Sequence, residues 1–454
     1  MRKSAENLNQ VLSLMTVAFN ELTIGIANGW VAPTLNSLRS PNGEFYITME
    51  ESSWIASLEN MGTIPGALLT AFILDIVGRK ILLTSTAFIF FLMWAVTVFT
   101  KSVSVLCLMR LLFGIFVGIN DGTNATYLAE NSSPQIRGVF GAVSVTLYYT
   151  GLLAEFIIAT YFSYTTTLII NTIITFLAFL SVLWIKEPVQ FLLMKGKDTQ
   201  AERNFAWLHG GSAEDERIRS EFERIKSNVQ SENLKKSSLK KAITYPANYK
   251  SLFIVITIYG LVGLTGFFPV MSYASMAFAS SEILTPNEFT ILFGISQALV
   301  VVPSSLLIGR FNRRSIILIS FSLISLSHAV STGLYYVNSH IVTIPYFPWL
   351  IFMSITFYAS VFAFVYPAIF VIRGELFPLS VKAPGGCFSI IAFNATNFLT
   401  TKAFLYISYT WGIEANFLMF CLLTLATVLF VYFFLPETKN KSLIEIQEML
   451  EKTK

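Results

Sequence analysis

Apolar residues in this chain come in long blocks rather than at the alternating or three-and-four spacing of half-buried strands and surface helices. Twelve such blocks lie near 11–31, 52–74, 81–100, 104–126, 138–161 and 166–185, then 250–273, 288–309, 315–337, 345–372, 383–408 and 412–435. A helix rising 1.5 Å per residue needs about 20 mostly apolar residues to cross a bilayer core roughly 30 Å thick, so each block is long enough to span one. A single hydrophilic stretch, Lys186 to Lys250, divides the series six and six. The pattern predicts an all-α membrane protein with units at 1–185 and 250–435, a linker at 186–249 and a tail at 436–454. No cleavable secretory signal is expected at the start, so the first block should remain as a helix.

Two polar segments carry a different periodicity. In the linker, Ser212 and Asp215 suit a helix start, and Ile218, Phe222, Ile225 and Val229 then recur at helical spacing. In the tail, Ser442 and Glu445 form a capping-box pattern ahead of Ile446, Met449 and Leu450. Both predict amphipathic helices lying beneath the bundle.

Composition agrees with the blocks: 54% of residues are hydrophobic and only 13% charged, with mean hydropathy +0.63, against about 25% charged in a soluble globular chain. Charge then fixes the expected orientation. With a cytosolic N-terminus, 27 of the 31 Lys and Arg residues fall on the cytosolic side, the exceptions being Arg39, Lys101, Arg110 and Lys402. The basic balance therefore describes an inner membrane surface, most naturally the plasma membrane's, and gives no reason to invoke nucleic acid. Cys107, Cys387 and Cys421 lie in apolar blocks without metal spacing, and His209, His328 and His340 show no metal or nucleophile pattern. No cofactor and no enzyme activity are expected.

The polar punctuation repeats. Asp75-Ile-Val-Gly78-Arg79-Lys80 after the second block is answered 234 positions later by Gly309-Arg-Phe-Asn312-Arg313-Arg314 after the eighth. Glu130 and Arg137 after the fourth are answered by Glu375 and Lys382 after the tenth, and Glu187 after the sixth by Glu437 after the twelfth. Three matched pairs in one order indicate a duplicated six-helix unit. Oppositely charged groups at neighbouring helix ends can tie the helices together and still part. At 4 Å and an effective dielectric near 20, one pair is worth up to about 4 kcal/mol before desolvation, enough to bias a two-state equilibrium. Asp75, Arg79, Lys80, Glu130, Arg137, Glu187, Arg313, Arg314, Glu375, Lys382 and Glu437 are accordingly expected to form a cytosolic gating network.

These motifs resemble the sugar porter family of the major facilitator superfamily. The residues that carry the likeness are Asp75-x-x-Gly78-Arg79-Lys80, Arg110-x-x-x-Gly114-x-x-x-Gly118, Tyr127-x-x-Glu130 to Arg137-Gly138, Glu375-Leu-Phe-Pro378, and Pro436-Glu-Thr-Lys439 with Ser442-Leu443. Gly29-Trp30 with Pro33, Ser53-Trp54, and Thr401-Lys402-x-Phe404 are further similar to the insect facilitated trehalose transporter branch. The resemblance implies a major facilitator fold and alternating access, with the halves rocking around a site near the bilayer midplane. Gly62 and Gly66, and Gly114, Gly118 and Gly122, recur every four residues as in closely packed membrane helices. Gly266 and Pro269, Pro303 and Pro367 interrupt the seventh, eighth and tenth spans, as local breaks or as kinks.

The departures fall where that family reads a sugar. Its helix 7 Gln-Gln-Leu-Ser-Gly-x-Asn is matched here by Val262-Gly-Leu-Thr265-Gly266-Phe267-Phe268, and its helix 5 Gln by Val145; in helix 10 its acidic and Trp positions hold Phe362 and Phe370. Gln297 and Asn397 remain at matched positions, as cavity lining or as helix-to-helix hydrogen bonds, and Asn394, Thr265, Tyr273 and Asn124 can add contacts, with Phe268 and Phe370 either stacking on a solute or simply packing. Intramembrane charge is costly, about 2.5 to 3.5 kcal/mol at mid-membrane, so Glu21, Glu59, Arg110, Asp121 and Glu155 should face the interior or a partner. Glu21 with Arg110 is the expected ion pair. The expected function is a facilitative carrier of a sugar, trehalose or hexose-like. The alternatives are a carrier of a less polar solute and a membrane sensor that kept the fold.

Overall fold

The computed structural model describes residues 8–40, 43–132, 134–211, 216–234, 245–278, 281, 283–307, 310–377, 381–439, 441 and 443–452. The first span is α1 (Leu8–Gly29) continued after a bend at Trp30 by α2 (Val31–Arg39), followed by α3 (Met49–Val77), α4 (Arg79–Val98), α5 (Val103–Asn131), α6 (Pro134–Tyr161) and α7 (Tyr164–Leu183). Short helices α8 (Val189–Met194), α9 (Asp198–Leu208) and α10 (Glu216–Leu234) follow. The second half begins with a seventh span in pieces, α11 (Pro246–Gly263), α12 (Phe267–Ser272) and α13 (Ala274–Ala277). It continues through α14 (Pro286–Leu307), α15 (Arg313–His340), α16 (Phe347–Leu376), α17 (Lys382–Trp411) and α18 (Ile413–Phe434), with α19 (Leu443–Lys452) last.

Among the described residues, 11 helices are long and apolar enough to cross a membrane. Outside these, α17 has 30 residues but carries Asn394, Asn397, Thr400, Thr401 and Lys402, which dilute its apolar character. Pro303 and Pro367 sit inside continuous helices, so neither produces a break. The seventh span does break. Gly266 takes φ +85, a left-handed conformation that side chains with a Cβ rarely adopt. The carbonyl of Thr265, freed by that break, is taken up by Nε2 of the buried His328 at 3.0 Å. That bond places the ring proton on Nε2.

Packing follows one scheme twice. In the first half α1 pairs with α6, α3 with α5, and α4 with α7; in the second α11 pairs with α17, α14 with α16, and α15 with α18. Across the halves α3 meets α17 and α6 meets α14, again related by the same exchange. The α3–α5 contact is made backbone to backbone. A Cβ on Gly66 would run into the Ile115 carbonyl, and one on Gly114 into the Glu59 carbonyl, so these glycines permit the approach.

One face of the bundle gathers the ends of the chain and is called here the terminal face. The Asn9 amide at the start of α1 donates to the Trp207 carbonyl at 2.7 Å, and Lys250 Nζ donates to the Leu450 carbonyl at 2.8 Å, holding α9 and α19 against the bundle. Ile218, Phe222 and Ile225 of α10 pack on Val189, Phe191, Leu192 and Phe205, and Ile446 and Leu450 of α19 are buried, as the helical spacing predicts. The expected caps at Ser212, Asp215 and Ser442 lie outside the described residues. On the far face, Glu44 joins two other loops, taking a hydrogen bond from Thr165 at 3.0 Å and pairing with Lys101 at 3.3 Å.

Candidate functional site

Charged residues at the terminal face form two related clusters. In the first half Gly78, at φ +104, ends α3 and starts α4, and the Arg79 guanidinium reaches Asp75 at 2.9 Å and Glu130 at 2.8 Å. Glu187 does something the sequence did not indicate. Its carboxylate accepts the backbone N–H groups of Arg79 at 2.5 Å and Lys80 at 3.2 Å, capping α4 from beyond the sixth span. A Cβ at Gly78 would meet that carboxylate and the Phe191 ring. Partial burial raises the Glu187 pKa, with the two N–H groups and the Arg79 and Lys80 charges pulling the other way.

The second half repeats the device. Glu437 accepts the N–H of Arg313 at 2.9 Å and of Arg314 at 3.1 Å, capping α15. Arg313 pairs with Glu375 at 3.5 Å, and the Thr438 hydroxyl donates to Glu375 at 2.6 Å, while Arg314 donates to the Tyr432 carbonyl at 2.5 Å. The side chains of Arg137 and Lys382, expected in these clusters, lie outside the described residues.

Between the halves lies a cavity of about 560 Å³. Its wall extends to Leu128, Gly138, Val371 and Arg373, near the terminal-face ends of α5, α6 and α16. Polar contacts between the halves gather on the opposite side. Lys402 Nζ sits 3.7 Å from the ring centroid of Trp54 and donates to the Ser53 hydroxyl at 2.7 Å. Asn36 donates to Asn287 at 3.3 Å and Arg39 to the Met276 sulfur at 3.1 Å. Among the described residues one further bond, Cys387 to the Ala67 carbonyl at 3.4 Å, lies toward the terminal-face ends of α17 and α3. The arrangement is closed at the far face and reaches toward the terminal face.

The two walls differ in chemistry. The first half contributes Glu21, Asn28, Glu59, Asn60, Asp121 and Asn124; the second contributes mostly rings, among them Tyr259, Phe268, Tyr366, Phe370 and Phe393, with Arg373 and Asn394. Of the solute contacts expected from sequence, Asn124, Asn394, Phe268 and Phe370 line this cavity. Gln297, Asn397, Thr265 and Tyr273 lie outside it, each at most 1% exposed. Tyr273 is stacked on Phe404 at 5.1 Å, and the Thr265 hydroxyl is engaged with the Val262 carbonyl at 2.7 Å.

The expected Glu21–Arg110 pair is not formed. Arg110 pairs with Glu59 at 2.6 Å and donates to the Ala27 carbonyl at 3.0 Å and the Ile55 carbonyl at 3.2 Å, tying α1, α3 and α5 together. The reason is register: the glycine seam brings the Glu59 backbone against Gly114, one turn beyond Arg110. Glu21 instead receives the side-chain amides of Asn120, at 3.4 Å, and Asn124, further along α5. Asn28, Asn60, Tyr148, Tyr366 and Arg373 are wall residues that sequence reading missed. Arg373 was hidden among the topology charges, and the amides and tyrosines carry no signal without a known helix face.

A family model described as "Sugar (and other) transporter" matches residues 17–450. The chain belongs to the sugar (and other) transporter family. Relatives of this transporter include facilitated trehalose transporters Tret1 of Aedes aegypti, 24% identical over 97% of the chain, and of Apis mellifera ligustica, 24% identical over 96%. That of Polypedilum vanderplanki is 26% identical over 97%. The chain spans 55% of the length of the Aedes protein and 87% of the Apis protein. Among solved structures, the inward open conformation of the xylose transporter XylE from E. coli superimposes with a TM-score of 0.78 at 17% identity, covering 96% of this chain and 98% of that one. Its partially occluded inward open conformation gives 0.76, covering 95% and 99%. The fold is thus that of the major facilitator superfamily, and the transporter is a multi-pass membrane protein. Its matched family is one of transporters, in line with the expectation that it is not an enzyme.

Proposed function

We propose that this transporter is a facilitative carrier of a small hydroxylated, sugar-like solute and works by alternating access. The observation that carries the reading is the cavity between two similarly packed halves, joined across the far face and lined by polar atoms still free to bond. The Ser144 and Tyr148 hydroxyls, the Tyr259 hydroxyl and Asn124 Oδ1 are buried on its wall without hydrogen-bond partners among the described residues. A hydroxylated solute would satisfy them, whereas an apolar one would leave each group at a cost of about 1 to 3 kcal/mol. The trehalose and xylose transporters among its relatives support a sugar as the solute class. Residues 1–185 and 250–435 act as the two moving bodies in this reading, and the capped charge clusters of Arg79 and Arg313 meet and part at the gate.

The terminal face is the cytosolic one, and the plasma membrane is the site of action. Support comes from charge: most Lys and Arg residues belong to that face. The test is tracer uptake by purified protein in liposomes across trehalose, glucose and polyols. Saturable flux for at least one is expected; none for any would sink the carrier reading. Impermeant thiol labelling at a cysteine introduced for Lys197 should fail in intact cells and succeed after permeabilisation, and labelling of intact cells would reverse the orientation.

A further inference from the structure

Carboxyl groups outnumber cations on the cavity wall. Glu59 is answered by Arg110 at 2.6 Å, but Glu21 and Asp121, which interact with each other, have no cation of their own half beside them among the described residues. The amides of Asn120 and Asn124 both donate to the same Glu21 oxygen, which presents that carboxyl as an acceptor. Across the cavity, the guanidinium of Arg373 interacts with Asp121 at long range but lies over the rings of Phe370 at 4.8 Å and Tyr259 at 5.5 Å. Two carboxyl groups therefore face one guanidinium.

A second feature is a pair of unpartnered polar atoms, of which the Tyr259 hydroxyl is independent of the acids. Asn124 is only 5% exposed and Tyr259 only 3%, both on the wall, and neither Asn124 Oδ1 nor the Tyr259 hydroxyl has a partner among the described residues. Asn124 commits one N–H to Glu21, and its Oδ1 is left as an acceptor. Aromatic residues share this part of the wall, with Tyr148 in electrostatic reach of Glu21 and Tyr366 in reach of Asp121. An ammonium group donates three hydrogen bonds and is attracted both by carboxylates and by aromatic faces. An uncharged polyol can use the hydroxyls and amides of the wall but leaves Glu21 and Asp121 without a cation beside them.

We propose that the solute is a polyhydroxylated amine whose ammonium group sits between Glu21, Asp121 and Asn124, with its hydroxyl-bearing body against the rings of the second half. The proposal rests on the carrier reading above and narrows it. A set of three probes that share one ring tests it: glucosamine, N-acetylglucosamine and glucose, offered to the full-length protein in liposomes at a pH where the free amine is protonated. Glucosamine should enter with a KM about tenfold below those of the other two, the scale of one charge-assisted contact. Glu21→Gln and Asp121→Asn should each cut the preference for glucosamine over glucose about tenfold, while Glu21→Asp, which keeps the carboxyl group, should retain most of it. The two acids are on different helices, so if one variant loses its thermal transition the other still decides. Equal uptake of the three probes, or a preference that survives both neutral substitutions, overturns the amine and leaves the carrier standing. Flux of none of the three overturns the amine, and overturns the carrier as well only if trehalose and polyols also fail to enter.

Discussion

In the first half, α3 and α5 meet backbone to backbone along Gly62, Gly66, Gly114 and Gly118. The corresponding pair in the second half, α14 and α16, is joined by rings instead, with Phe289 against Trp349 and Phe352 at 5.1 Å each. The charge clusters differ in the same sense. Arg79 and Glu130 pair at 2.8 Å with side chains 4% and 9% exposed, whereas Arg313 and Glu375 stand 3.5 Å apart at 12% and 28%. One topology is thus reached by a rigid seam with a buried ion pair in one half and by adaptable ring packing with a wetter pair in the other. The seam fixes a helix register, and that register holds the cavity's carboxyl groups in place.

Breaking the seam should have the largest effect. Gly114→Ala drives a methyl group into the Glu59 carbonyl and should cost about 3 kcal/mol or prevent folding. Gly333→Ala in α15 meets nothing within 4 Å and should be neutral or stabilise by about 0.5 to 1 kcal/mol. Thermal unfolding midpoints of the two variants in detergent should move in opposite directions; equal losses would remove the contrast. Next in size, Arg79→Ala strands a buried Glu130 and should cost about 3 kcal/mol or more, while Arg313→Ala should cost about 1 kcal/mol or less. Similar midpoints for the two arginine variants would show the clusters to be equivalent.

Smaller effects probe the broken seventh span and the far-face closure. His328→Leu leaves the Thr265 carbonyl without its donor, a loss of about 1 to 3 kcal/mol, and His328→Gln, which still donates, should recover part of it. Failure of Gln to outperform Leu in thermal midpoint would point to ring packing instead. Lys402→Met removes the cation over Trp54, worth about 0.5 to 2 kcal/mol, and should shift the equilibrium several-fold toward opening at the far face. Thiol labelling of a cysteine placed at Ser53 from that side should accelerate in the Lys402→Met background, and an unchanged rate would exclude a closing role for the lysine.

Much of this architecture can be read from the chain. The apolar blocks, the six-and-six division of spans and the amphipathic faces at Phe222 and Ile446 depend on local spacing, which a sequence displays directly. The partner of Arg110 depends on which helix faces α5 and in what register. The information was present, because the four-residue glycine repeats of α3 and α5 align Glu59 with Arg110, but it becomes visible only once those repeats are read as one shared seam. Glu187 and Glu437 were expected to meet side chains and instead meet backbone N–H groups, a distinction that side-chain charge cannot reveal. Gln297 and Asn397 matched a family position yet lie outside the cavity, since a matched position fixes a place on a helix and not the conformational state in which that place is open.

The capping carboxylates also bear on biosynthesis. The start of α4 is satisfied by Glu187, 108 residues downstream of Arg79, and the start of α15 by Glu437, 124 residues downstream of Arg313. As the chain leaves the ribosome, each half must hold an uncapped helix end until its final segment has been made. A chain truncated after the sixth or twelfth span, before the capping glutamate, would contain all the membrane helices of that half and still lack the group that finishes it.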